Sequence, residues 1–102
     1  MSEIKSKHRM SAIQRDILFS LFLLDKKMNS PVAVSDLRKI LNKTRAVDLQ
    51  ISNFSVSCKT LKDRGYLLKY RDKITLRVAY RLTEKGMEEG EKEYVKRMNT
   101  IT

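Results

Sequence analysis

The 102-residue sequence has no tryptophan, one cysteine, one histidine, one proline and three glycines. Each scarcity closes a class of function. A lone cysteine forms no intrachain disulfide, and with a lone histidine it leaves too few ligands for a zinc site. Cys58 lies on an apolar helical stripe and reads as a small core residue rather than a reactive thiol. His8 sits in a polar, basic start to the chain, so no histidine-based triad is expected. Glycines at 65, 86 and 90 make no phosphate-cradling loop. Glu88, Glu89 and Glu91 share a helix with Lys85 and Lys92, the pattern of a salt-bridged, solvated face. The sequence therefore predicts neither an enzyme nor a bound cofactor or metal.

Long apolar runs are also missing. Ile17–Leu24 (ILFSLFLL) is too short to span a bilayer. Arg15 and Asp16 precede it, Asp25-Lys26-Lys27 follow it, and no small-residue cleavage site appears, which argues against a signal peptide. The expected location is the cytoplasm, on the nucleoid, or the nucleus if the host has one, with no membrane partner. Acids are scarce as well: 12 Asp+Glu stand against 22 Lys+Arg, giving +10. The excess is uneven. Residues 1–83 hold 18 basic and 7 acidic residues, whereas residues 84–102 hold 4 and 5. The basic character belongs to the body of the chain and favours a polyanionic partner. With 41% hydrophobic residues, the composition predicts one folded domain with a modest core.

Residues 1–10 (MSEIKSKHRM) read as a flexible basic arm, and 99–102 as a tail. Ser11 with Gln14 forms a capping-box signature for a helix from Ala12 to about Lys27. Ile13, Ile17, Leu21 and Leu24 make its main stripe, while Phe19 and Leu23 lie further round and invite a second cover. Val32-Ala33-Val34 is β-prone. Ser35 is the expected cap of a second helix with Leu37, Ile40 and Leu41 inward. Thr44–Ile51 either extends that helix or forms a loop. Ser52 is the expected cap of a third helix, 53–64, which buries Phe54, Cys58 and Leu61 and ends at Gly65. A hairpin follows over 66–82. Its second strand alternates Leu76, Val78, Tyr80 and Leu82 inward against Arg77 and Arg81 outward. Thr83 caps a last helix, 83–98, with Met87, Gly90, Tyr94 and Met98 on one face. Gly86 and Gly90, four apart, would let another backbone approach closely.

The order is helix, short strand, helix, helix, hairpin, helix: a mainly α fold with a small β-hairpin (α+β). The string from Ser52 to Leu68, SNFSVSCKTLKDRGYLL, resembles the recognition helix of a winged helix-turn-helix domain running into its first wing strand. Tyr80–Gly86 (YRLTEKG) is similar to the end of the wing and the start of the dimerisation helix in MarR-like and PadR-like regulators. The resemblance covers about residues 11–98. It implies a homodimeric, sequence-specific regulator of transcription bound to double-stranded DNA.

The residues themselves fit that expectation. The exposed side of the third helix offers Asn53, Ser55, Val56, Lys59 and Thr60, and no carboxylate before Asp63. Short hydrogen-bonding groups, a lysine and a small apolar group are the types that read base edges in the major groove. Lys62, Arg64, Arg71, Lys73, Arg77 and Arg81 are the expected backbone contacts, the last four on the wing, which is expected to meet the backbone or the flanking minor groove. The expected dimer interface is Phe19, Leu23, Met87, Gly90, Tyr94 and Met98. A small-molecule effector between the first and last helices fits the arrangement, but no residue names a ligand. The rival readings are a replication, partition or recombination accessory protein with the same fold, and a winged helix used only for protein–protein contacts. A structured-RNA binder is disfavoured by the lack of exposed aromatic stacking platforms.

Overall fold

The structure, a computed structural model, describes residues 9–101. Expectations for the rest of the basic arm, including Lys5, Lys7 and His8, lie outside the described residues. Met10 is half-buried against the core, and its carbonyl accepts from Arg15 Nη1 at 2.7 Å.

Helix α1 (Ala12–Met28) begins at the expected capping box. Ser11 Oγ accepts from the Gln14 N–H at 3.2 Å, and Gln14 Oε1 accepts from the Ser11 N–H at 3.0 Å. Two of the orphan donors of the first turn are thereby satisfied. Asn29, at φ 52, ends the helix in the left-handed conformation. Ile17, Leu18, Leu21 and Phe22 are buried, and the core continues through Leu37, Leu41, Phe54, Cys58, Leu61, Leu67, Tyr80 and Leu82.

Strand β1 (Val32–Ala33) pairs antiparallel with the last strand, Val32 opposite Tyr80 and Ala33 opposite Ala79. Helix α2 (Val34–Asn42) follows without a break. Its N-cap is Ala33, with no side-chain bond, so the cap expected at Ser35 is not made. Strand pairing fixes Ala33, the helix starts directly after it, and Ser35 becomes an exposed residue of the first turn.

Residues 43–50 form a loop held at three points. Asn42 Oδ1 accepts from the Leu49 N–H at 2.8 Å, Arg38 donates through Nε and Nη2 to the Leu49 carbonyl, and Arg45 Nη2 reaches Asp16 at 2.7 Å. Leu49 is buried between them. This anchor sets the start of helix α3 (Ile51–Asp63), whose N-cap is Gln50 rather than Ser52. The Gln50 carbonyl already accepts from the Phe54 N–H at 3.0 Å.

Strands β2 (Leu67–Arg71) and β3 (Val78–Leu82) form the hairpin, with sheet order β1-β3-β2. Leu67 faces Leu82 and Arg71 faces Val78. Leu76, expected as an inward strand residue, instead lies in the turn at φ 62 and is exposed. Asp72 causes this. Its Oδ1 accepts from the N–H groups of Ile74 and Thr75, and its carbonyl accepts from Leu76. The tight reversal consumes residues up to Arg77, whose carbonyl accepts from the Asp72 N–H.

Helix α4 (Glu84–Ile101) is capped by Thr83 Oγ1 on the Gly86 N–H at 3.0 Å and runs through most of the expected tail. It lies along α1. A Cβ at Gly90 would stand 2.8 Å from Phe22 Cβ and 3.0 Å from the Leu18 carbonyl oxygen. The Tyr94 ring packs on Phe19 and Phe22 at centroid distances of 6.4 and 5.7 Å.

Gly86 is the tighter position, because a Cβ there would stand 2.1 Å from the Tyr66 carbonyl oxygen. Gly86→Ala is expected to lower stability by about 2 kcal/mol or more despite alanine's better helix propensity, since backbone must move. Urea unfolding checks this: the midpoint falls with an unchanged slope. A wild-type midpoint would show that the approach of α4 to Tyr66 is not tight.

Candidate nucleic-acid interface

Helix α3 buries Phe54, Ser57, Cys58 and Leu61, at the spacing of one helical stripe. That stripe turns Asn53, Ser55, Val56, Lys59 and Lys62 outward, all exposed. Val56 is 63% exposed. Thr60 is half-buried, at the edge of the outward face. Because the helix starts early, Ile51 and Ser52 also join its exposed first turn. Reading Ser52 as a cap hid this extra surface.

The helix ends in a Schellman arrangement. The Tyr66 N–H donates to the Leu61 carbonyl at 2.9 Å and the Gly65 N–H to Lys62 at 3.0 Å, with Gly65 at φ 87. The wing therefore leaves the helix at a fixed angle. Between the two runs a groove lined by Val34, Ser55, Cys58, Lys59, Lys62, Lys69, Val78 and Tyr80. Three lysines from helix and strand meet there. Sequence reasoning passed over Lys69, although the alternation that exposes Arg71 puts Lys69 on the same face; it sits opposite Tyr80 in the register. A second groove, lined by Ala33, Ser35, Arg38, Ile51, Ser55 and Arg77 among others, continues the surface past the start of α3.

The expected backbone contacts divide. Lys62, Arg71, Lys73 and Arg77 are exposed. Arg64 is half-buried and turns towards the chain start, donating to the Arg9 carbonyl at 3.4 Å. Arg81 departs from the free outward position on the wing that alternation predicts: its Nε bonds Asp25 at 2.7 Å and its Nη2 donates to the Asn29 side chain. Alternation does place Arg81 opposite Tyr80 and Leu82, but the end of α1 covers that side of the sheet and supplies the partner.

Two carboxylates border the basic surface. Asp63 accepts from Lys59 Nζ at 2.9 Å, with Lys62 at 3.8 Å. The Lys59 hydrogen bond holds its carboxyl below the ordinary range. The backbone amides of Thr75 and Ile74 do the same for Asp72.

The residues expected at a dimer interface are largely committed within the chain. Gly90 is buried against α1, Tyr94 packs on Phe19 and Phe22, and Met87 packs against the core. Met98 is half-buried, and Leu23 is exposed. Leu23 also lines an apolar groove between α1, α2 and the end of α4, with Phe19, Leu24, Ile40, Leu41 and Arg97.

This arrangement is shared with solved structures. The adhesin competence repressor AdcR of Streptococcus pyogenes superposes with a TM-score of 0.71 at 18% identity, over 91% of this chain and 61% of that one. The fold is a winged helix. MepR of Staphylococcus aureus gives 0.68 at 17% identity, over 90% of this chain and 62% of its own. F-93 of SSV1 gives 0.65 at 20% identity, over 93% of this chain and 98% of its own. The chain thus spans about three-fifths of the first two proteins and nearly all of F-93. No protein-family model matches the sequence, and no curated protein does. Among the described residues, no helix of this winged helix is long and apolar enough to cross a membrane.

Cys58 lies under the lysine groove, 1% exposed, and burial pushes its thiol up to about 12. Alkylation by iodoacetamide at pH 8 is therefore expected to proceed at least about 100-fold more slowly in the native protein than in urea, because the thiolate is scarce and opening must come first. Equal rates in the two states would show that the groove between helix and wing is open to its floor.

Proposed function

We propose that this protein is a sequence-specific, double-stranded DNA-binding regulator of transcription. One observation carries the reading. The exposed face of α3, free of carboxylates until Asp63, is continuous through Lys59, Lys62 and Lys69 with a cationic wing. A duplex presents base edges in the major groove and phosphates beside it, and this surface offers the matching groups in the matching order. Asn53, Ser52, Ser55, Val56 and Lys59 read bases, with Thr60 at the margin. Lys62, Lys69, Arg71, Lys73 and Arg77 hold phosphates. The similar structures support the reading, since AdcR is described as a repressor and MepR as a transcription regulator. The protein acts where the duplex is, in the cytoplasm on the nucleoid.

Two copies bind one site. A module of this size touches few base pairs, and two-fold symmetry doubles the sequence read. The second copy sits against the outer part of α4 and the exposed end of α1, where Leu23 and Val95 remain uncovered. Sedimentation at micromolar concentration is expected to give about twice the 11.9 kDa chain mass; a clean monomer removes the dimer from this proposal.

Binding to a mixed-sequence duplex, followed by fluorescence anisotropy, is expected to fall with salt at a log–log slope steeper than about −4, since each neutralised phosphate contributes roughly −0.9. Lys59→Ala should then relax discrimination at one base by roughly 1–3 kcal/mol. Negligible binding at low salt overturns the DNA reading. Unchanged discrimination by Lys59→Ala overturns the assignment of α3 as the reading helix.

A further inference from the structure

The tip of the wing carries a side chain that neither the fold nor the reading helix requires. Ile74 is 92% exposed, the highest exposure among the large hydrophobic residues of the described chain. It touches no part of the core, and isoleucine in a reversal gains nothing from water. Its backbone is nevertheless held firmly. The Ile74 N–H donates to Asp72 Oδ1 at 2.8 Å, the Thr75 N–H joins the same oxygen at 2.9 Å, and the Leu76 N–H closes the turn on the Asp72 carbonyl at 2.9 Å. The Arg77 N–H donates to Thr75 Oγ1 at 3.3 Å. A β-branched side chain with few rotamers thus projects from a rigid base.

Its surroundings define what it can enter. Arg71, Lys73 and Arg77 flank it on both sides, and all three are exposed. The neighbouring acid, Asp72, has turned one oxygen into the reversal, where it is occupied by amides. Leu76 adds a second exposed apolar group beside the tip. An apolar point inside a collar of cations matches a duplex minor groove. There the cations meet the two phosphate walls, and the apolar group meets base edges and sugar on the floor. A protein partner would need an apolar pocket ringed with carboxylates, which is a more demanding match.

We propose that Ile74 is an apolar wedge that enters the minor groove beside the site read by α3, partly unstacks one base step and bends the DNA. This rests on the DNA reading and extends it: part of the specificity then comes from how easily a flanking step opens, favouring flexible pyrimidine–purine steps, rather than from hydrogen bonds. The wedge meets no phosphate, so it adds nothing to the salt dependence.

The test uses the full chain and a duplex that it selects from a random pool, labelled at both ends for energy transfer. With wild type, the end-to-end distance is expected to shorten on binding. Ile74→Ala, at a site too exposed to affect folding, is expected to lose about tenfold in affinity and most of the shortening, with an unchanged salt slope. Ile74→Leu should keep both. Lys73→Ala should lower the salt slope by about 0.9 and keep the bend. If Ile74→Ala binds and bends the duplex as wild type does, or if wild type binds without bending it, the wedge is overturned and the DNA reading stands. If wild type binds no duplex at all, the DNA reading falls and the wedge falls with it.

Discussion

The arrangement of α3 against the hairpin depends on a clasp of four residues far apart in sequence. Gly65 and Tyr66 end α3; Thr83 and Gly86 start α4. Thr83 Oγ1 donates to the Gly65 carbonyl at 2.6 Å, and its N–H donates to the Tyr66 carbonyl at 3.0 Å. Gly86 lets that same carbonyl come so close that a methyl group would not fit. Lys85 adds a bond from Nζ to the Arg64 carbonyl at 2.9 Å and lies over the Tyr66 ring. Thr83 also caps α4 through the oxygen it uses for Gly65. One hydroxyl therefore fixes the start of one helix to the end of another. The angle between α3 and the wing, on which any simultaneous grip of two grooves depends, follows from this junction rather than from the hairpin itself.

Most of the elements were legible because their signals are local. The capping box at Ser11 and Gln14, the stripe of Phe54, Cys58 and Leu61, the glycine at 65 and the threonine at 83 all act within one turn of chain, and the structure uses each of them as expected. The expectations that failed depend on distant contacts. Ser35 and Ser52 are good caps by chemistry. The starts of α2 and α3 are set instead by the pairing of Ala33 with Ala79 and by the anchoring of Leu49. Arg81 alternates outward as read, but period two reveals nothing about the α1 terminus that covers that side. Gly90 was rightly taken as a place of close approach, and the approaching surface is the chain's own α1. Lys69 is legible in the same alternation that exposes Arg71, since the two lie on one face of β2.

The charge distribution follows the same division. On the helical body, several arginines are paired with acids. Asp16 accepts from both Arg45 and Arg97 at 2.7 Å, Arg97 also bonds Glu93 and lies over the Phe19 ring, and Asp25 holds Arg81. These pairs are half-buried and link α1 to the loop before α3, to α4 and to β3. They stabilise geometry more than they add net energy. α3 and the hairpin expose Lys59, Lys62, Lys69, Arg71, Lys73 and Arg77 against only Asp63 and Asp72, and exposed Lys26, Lys27 and Lys39 carry further positive charge onto α1 and α2.

Two acids remain on the cationic side, and their placement explains why they are tolerated there. A carboxylate facing phosphate repels it, so each needs a compensating role. Asp72 shapes the wing tip: without an acceptor at that position, the amides of Ile74 and Thr75 lose their partner and the reversal loses its definition. Asp63 lies at the last turn of α3, where an acid opposes the helix dipole, and Lys59 one turn earlier offsets it. Both carboxyls are held below the ordinary range, so both are fully ionised at neutral pH and their contacts fail only as pH falls through those lowered values. The bond to Asp63 positions Lys59 rather than consuming it: an ammonium carries three N–H donors, so with one on Asp63 the other two stay directed to the solvent side of α3, where Lys59 is exposed.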